Sequence, residues 1–309
     1  MRVFTRQSVA ASAIAVVAST LAFAQTPELA INRIEHHINP DIHANAPTAG
    51  GTGPVSPAIT YRGGPVMGTP TAFIIWYGNW NQSNGTDTPA GQQIVRDFLF
   101  GLNNSAYYQI NASYGTPTGA VSFGGETTDT GSQGTRLSDA KVKAVVSSAI
   151  TSGRLPKNTN GVYFVLTSSN VSETSGFCSQ YCGWHTAATI SSSNIKYAFV
   201  GNAARCLSGC AAQTTSPNGN AGVDGMISVI AHELEEANTD PNPNTGWFNG
   251  SGENADLCAW TFGSHQQSVG GAFYNMTLPT ATGGSRHYLV QRNLDVNSKC
   301  YIDYVQKWQ

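Results

Sequence analysis

Gly161-Val162-Tyr163-Phe164-Val165-Leu166-Thr167 is an uncharged run dominated by β-branched and aromatic residues. A strand with one wet face alternates apolar and polar residues, whereas a strand covered on both faces reads as a continuous apolar run. This one is too apolar for an exposed edge, so it predicts an inner strand. Thr71–Tyr77 (TAFIIWY) has the same character, and Tyr197–Val200 (YAFV) is a third strand of this kind. Tyr107–Ala112 and Ala120–Phe123 read as shorter strands. Between these runs the periodicity changes. Pro89–Leu102 sets Ile94, Phe98 and Leu102 at helical spacing, and Ser138 is placed to cap a helix running to about Thr151 with Val142, Val145, Val146 and Ile150 facing inward. A further helix spans about Val223–Asn238, and a loop-rich, disulfide-closed C-terminal part follows. The predicted fold class is α+β, a mixed sheet packed with helices.

The start of the chain is of another kind. Arg2 and Arg6 precede an uncharged run from Val9 to Phe23, and Ala22-Phe23-Ala24 offers small residues at the two positions a signal peptidase reads. Residues 1–24 are therefore expected to be a signal peptide cleaved before Gln25. The run is short of the roughly 20 apolar residues a membrane helix needs. No later segment is long and apolar enough to span a bilayer, so no membrane association is expected after cleavage. Residues 25–57, rich in Pro, Asn, His and Gly, read as a flexible lead or short pro-segment. His36, His37 and His43 within it read as solvated tail residues rather than a metal tract. Residues 58–309 are expected to form a single globular domain, large enough to bury a core.

Only 11% of the residues are charged and the net charge is −2, without a basic stripe, which argues against nucleic acid as a partner. All six cysteines lie beyond Phe177, an even set in a chain expected to be exported (secreted, or periplasmic), so disulfides are the default over a zinc-cysteine site. Cys178/Cys182 and Cys206/Cys210 share a short spacing, and Cys258/Cys300 remain. Two local pairs and one long closure are expected, among fifteen possible connectivities.

The chemistry concentrates on the last helix. In Ile227-Ser-Val-Ile-Ala-His232-Glu233-Leu-Glu235-Glu236-Ala-Asn-Thr-Asp240-Pro241, an apolar helix turns acidic. His232 and Glu236 are four residues apart and share one face, so an imidazole nitrogen and a carboxylate oxygen can bind one Zn2+ at about 2.0–2.2 Å each. Glu233 lies on the neighbouring face, where it can take a proton from metal-bound water. That is the logic of the His-Glu-x-x-His helix of zinc peptidases, with Glu in place of the second His. Asp240 lies roughly 12 Å along a straight helix from His232, too far unless the helix breaks before Pro241. Glu253, in Gly252-Glu253-Asn254-Ala255-Asp256-Leu257-Cys258, is the expected third ligand. Asp256 and Asp240 are the alternatives, or the residues that orient a ligand; Asp240 can also cap the following turn. Burying Glu233, Glu235 and Glu236 together without a cation would be costly.

Other candidates are weaker. Asp240-x-Asn242-x-Asn244 resembles the start of a calcium loop, but the Gly and closing Glu are out of register. His185, after Cys182-Gly183-Trp184, can anchor a pocket or pack in the core beside a disulfide. His287-Tyr288 reads as ordinary strand packing.

A set of ordered blocks carries a resemblance: Tyr61-Arg-Gly-Gly-Pro65, Ile75-Trp-Tyr-Gly78, Val162–Ser168, Phe177-Cys178 with Cys182-Gly183-x-His185, Tyr197–Asn202, and Pro217-Asn-Gly219 with Gly222-Val-Asp-Gly225. From Tyr61 to about Asp240 the chain resembles the exordium (phosphate-induced protein) family of extracellular or cell-wall proteins, which have no assigned reaction. His232–Asp240 with Gly252-Glu253 and Asp256-x-Cys258 resembles a microbial branch with a zincin-like His-Glu-x-x-Glu helix, and implies a zincin-like sheet. Two expectations result. The favoured one is a secreted zinc-dependent hydrolase, most plausibly a peptidase, in which Glu233 activates water on an extracellular peptide or cell-wall substrate. The alternative is a non-catalytic extracellular or wall-associated binding or structural protein.

Overall fold

The computed structural model describes residues 34–38 and 47–303. The expected signal peptide, its cleavage point and His43 lie outside them. In chain order the elements are β1 (Ile34–His37), β2 (Thr60–Tyr61), β3 (Thr71–Tyr77), α1 (Pro89–Leu102), β4 (Ser122–Asp129), β5 (Arg136–Leu137), α2 (Asp139–Thr151) and β6 (Gly161–Thr167). They continue with β7 (Ser172–Glu173), β8 (Tyr181–Ile190), β9 (Ser193–Val200), α3 (Leu207–Cys210), α4 (Ala221–Thr239), β10 (Trp247–Asn249) and β11 (Gly252–Glu253). Short strand pairs complete the chain to Tyr301.

The main sheet has the order β1-β8-β9-β6-β3-β4. β9, β6, β3 and β4 run parallel, and β8 and then β1 extend the sheet antiparallel. The apolar run that predicted an inner strand is β6, every residue of which is buried. Both faces are covered. Trp76 of β3 carries the Arg96 guanidinium of α1 over its ring at 5.5 Å, while Phe73, pointing the other way, stacks on Tyr163 at 4.8 Å. Trp184 of β8 joins this second face against Tyr197 and Phe199, where α2 packs. His185, the next residue, therefore points to the first face, toward α4.

α4 is buried along nearly its whole length. Asn220 caps it by accepting from Val223 N at 3.1 Å, and Pro241 ends it by disfavouring helix at Asp240. The close seat of α4 on β8 requires Gly183. A Cβ there would lie 2.5 Å from Val229 Cγ1 and 2.9 Å from the Phe199 carbonyl oxygen.

Several expectations change. Tyr107–Ala112 is no strand; Tyr108–Tyr114 is a 3-10 helix. Asn104 at φ 57° turns the chain and the Ser105 hydroxyl accepts from Tyr108 N at 3.1 Å, so local hydrogen bonding overrides strand propensity. The strand expected at Ala120–Phe123 starts at Ser122 and continues to Asp129 through Gly and Thr residues that carry no apolar signal. The described part of residues 25–57, expected as a flexible lead, is stitched to the domain. β1 pairs with β8, and Thr48 O and Ala49 O accept from Phe262 N (2.7 Å) and Gly263 N (3.0 Å). Backbone pairing needs no apolar periodicity, which is why composition missed it. The cysteines pair as Cys178–Cys206, Cys182–Cys210 and Cys258–Cys300. The long closure is as expected, but the two short spacings form cross-links from Cys178, just before β8, and Cys182, within it, to the α3 segment instead of local loops. Three disulfides, and the lack of any helix among the described residues long and apolar enough to cross a membrane, are compatible with secretion.

Candidate metal centre

The acidic half of α4 faces β8 and the β11 turn, and two groups of side chains meet there, both through Glu236. On one side His232 Nε2 lies 2.8 Å from Glu236 Oε1 and 3.2 Å from Asp256 Oδ1. On the other, His185 Nδ1 lies 3.4 Å from Glu233 Oε2 and 3.5 Å from Glu236 Oε2. Both imidazoles and the Glu233, Glu236 and Glu253 side chains are fully buried.

The surroundings hold these groups in place. His232 Nδ1 meets the Gln291 side-chain amide. His185 Nε2 donates to the Asp240 carbonyl at 3.2 Å, and since a carbonyl only accepts, Nδ1 is the nitrogen turned to the carboxylates. Asp256 Oδ2 accepts from Glu253 N at 3.2 Å, which aims Oδ1 at His232. Asp256 N donates to Glu236 Oε1 at 3.1 Å.

Not every expected residue is in the same group. Glu253, the third ligand by sequence, sits on the His185 side with Oε2 3.8 Å from Nε2, whereas Asp256 is the carboxylate against His232. The Asp240 carboxylate is occupied by the turn after α4, accepting from Gly246 N at 2.8 Å and Thr245 N at 3.1 Å. Glu235 leaves the cluster for the other side of the helix, where Asn293 donates to it and burial holds its carboxyl well above the usual range. His185 belongs to the cluster, although its sequence context favoured packing in the core beside a disulfide. The signal that would have found it is the disulfide cysteine Cys182 leading directly into Gly183-x-His185 on a strand that α4 must touch.

Electrostatics marks the same spot. Burial would lower the His185 imidazole, but the Glu233 and Glu236 carboxylates beside it push it up to about 10. His232 is likewise raised well above its ordinary value: burial acts against protonation, and Glu236 and Asp256 overcome it. Burial pushes Glu233 up to about 7, with His185 and His232 opposing. For Glu236 burial is outweighed by His232 and His185, which bring it down to about 2. Glu253 is held well above the carboxylate range by burial and by neighbouring Glu236 and Asp240. Neither of its oxygens accepts a hydrogen bond, and the same is true of Glu233 Oε1 and Glu236 Oε2. Buried carboxylate oxygens without donors are costly unless a cation faces them. A cavity of about 380 Å³, lined by Glu35, His37, Asn249, Ser251, Glu253 and Asp256 among others, opens onto the cluster and gives it an entry path.

Comparison with known proteins gives a consistent result. The family described as the phosphate-induced protein 1 conserved region matches residues 59–300. Protein EXORDIUM-like 3 of Arabidopsis thaliana is 32% identical over 278 residues, covering 75% of this chain and 79% of its own. Protein EXORDIUM-like 5 from the same plant is 30% identical over 280 residues, at 75% and 74% coverage. Protein EXORDIUM is 25% identical over 267 residues, at 73% and 79%. No solved structure matches. These findings correct the favoured expectation of a zinc-dependent hydrolase or peptidase: the family and relatives are exordium-like and phosphate-induced proteins, with no hydrolase among them. The alternative expectation fits them better.

Proposed function

The chain belongs to the phosphate-induced protein 1 family, and from that membership we propose that it is an extracellular, wall-associated binding or structural protein rather than an enzyme. The single observation that carries this reading is the match over residues 59–300 together with its exordium-like relatives. In this reading secretion supplies the oxidising surroundings that three disulfides need. The cluster on α4 is a structural cation site, with Zn2+ the first candidate because imidazole and carboxylate donors meet there. His232, Glu236 and Asp256 hold it, while Glu233 and Glu253 stand beside His185 and activate no water. The zincin-like idea then survives only as a scaffold, a metal-bearing helix laid on a sheet strand. What supports the cation is the set of fully buried carboxylate oxygens that accept no hydrogen bond.

The test uses the chain from Gln25 onward, incubated with washed cell-wall material and, separately, with casein. Saturable retention by the wall fraction and no turnover of either are expected, with Glu233→Gln behaving like the parent. Turnover that Glu233→Gln abolishes would sink the reading. Metal analysis of the same preparation tests the cation independently.

A further inference from the structure

We infer that the cluster holds two divalent cations bridged by the Glu236 carboxylate. The inference rests on the reading above that this cluster binds metal, and deepens it. The two groups of donors share one residue but different atoms of it: Glu236 Oε1 faces His232 and Asp256, and Oε2 faces His185 and Glu233. Two donors bound to one tetrahedral ion at about 2.1 Å stand about 3.4 Å apart. On the His185 side the separations are 3.4 and 3.5 Å, and on the His232 side 2.8 and 3.2 Å. The His185 group is spaced for one ion as it stands, the His232–Glu236 pair needs to open by about 0.6 Å, and one carboxylate spans both, as in sites whose metals lie about 3.5–4 Å apart.

Charge favours two ions over one. Glu233, Glu236, Glu253 and Asp256 bring four carboxyl groups to a region sealed from water except through the cavity beside Glu253 and Asp256, and they carry four negative charges once bound cations displace the protons that burial favours there. One divalent cation neutralises half of them, and two neutralise all. Glu236 Oε2 and Glu233 Oε1 are the independent observation that points to a ligand: fully buried, on the two carboxylates of the His185 group, and accepting no hydrogen bond.

The experiment loads the purified, chelator-stripped full-length mature chain with Mn2+ alone, removes excess ion, and counts manganese per chain by elemental analysis. Two ions per chain are expected, and their electron paramagnetic resonance spectrum should show exchange coupling through the bridge. His185→Ala and Asp256→Asn should each retain one ion and show the six-line spectrum of isolated Mn2+, with circular dichroism confirming the fold. One ion in the parent chain overturns the pair while leaving a single-cation site intact. No bound ion overturns both this inference and the cation site it rests on. Two ions without coupling overturn the bridge. The parent measurements stand even where a variant fails to fold.

Discussion

The two cross-links from Cys178 and Cys182 to the α3 segment should behave as one redundant device, and removing them singly should mislead. Cys178–Cys206 and Cys182–Cys210 each close 28 residues, and Cys258–Cys300 closes 42. Taken alone, loop-closure entropy gives about 3.6 kcal/mol for a 28-residue loop and about 4 kcal/mol for a 42-residue one. With Cys182–Cys210 intact, however, Cys178 and Cys206 are already tethered through about 8 residues of chain, so their bond adds only about 2.5 kcal/mol. Converting Cys178 and Cys206 to Ala should therefore cost clearly less than converting Cys258 and Cys300. Converting all four cysteines of the ladder should cost about 6 kcal/mol, more than twice the single removal. Urea unfolding followed by tryptophan fluorescence, with linear extrapolation, measures each value. Equal costs for the single ladder pair and for Cys258–Cys300, or a four-cysteine variant that merely doubles the single cost, would refute the reasoning.

Gly183→Ala places a methyl group against Val229, the Phe199 carbonyl and, at 3.1 Å, Glu233 Oε1. A loss of about 1–3 kcal/mol is expected from urea unfolding, along with weaker metal retention; an unchanged midpoint would mean that α4 sits farther from β8 than described. Chelation should lower the melting temperature, and restoring Zn2+ to 100 times its dissociation constant should recover about 2.7 kcal/mol. Scanning fluorimetry showing no zinc dependence would speak against any cation site. In the chelated protein the pH dependence follows from two raised groups. Glu233, raised to about 7, stabilises the fold while protonated, so its contribution is lost as pH rises from its unfolded value to about 7. His185, raised to about 10, contributes fully below its unfolded value and loses that contribution as pH rises through about 10. The urea midpoint of the chelated chain should therefore fall between pH 5 and pH 9, and a rise over that span would contradict the assignment.

What the sequence could reveal was whatever is written locally. The inner strands β3 and β6 are continuous apolar runs, α1 and α2 carry helical spacing and Thr or Ser caps, and α4 is an apolar run entering His232. The mixed α+β class follows from these. β8 was not legible, because its core-facing residues include Gly183 and His185, whose burial is decided by α4 lying across them. His185 was missed as a centre of the cluster for the same reason: its 48-residue separation from Glu233 leaves no periodic trace. Within the β11 turn the sequence offered Glu253 and Asp256 three residues apart, and only the fold separates them, one beside each imidazole. Disulfide partners were illegible in kind, since equal spacings within Cys178/Cys182 and Cys206/Cys210 suit a ladder as well as two small loops.

β1 lies along the outer edge of β8, with Ile34 opposite His185. Without that border strand, β8 would present a row of unsatisfied amides and carbonyls to solvent, an open seam to which a stranger's extended backbone can fasten. Removal of the chain through His37 would thus change the company the molecule keeps: an edge now covered would become one inclined to zip onto its neighbours.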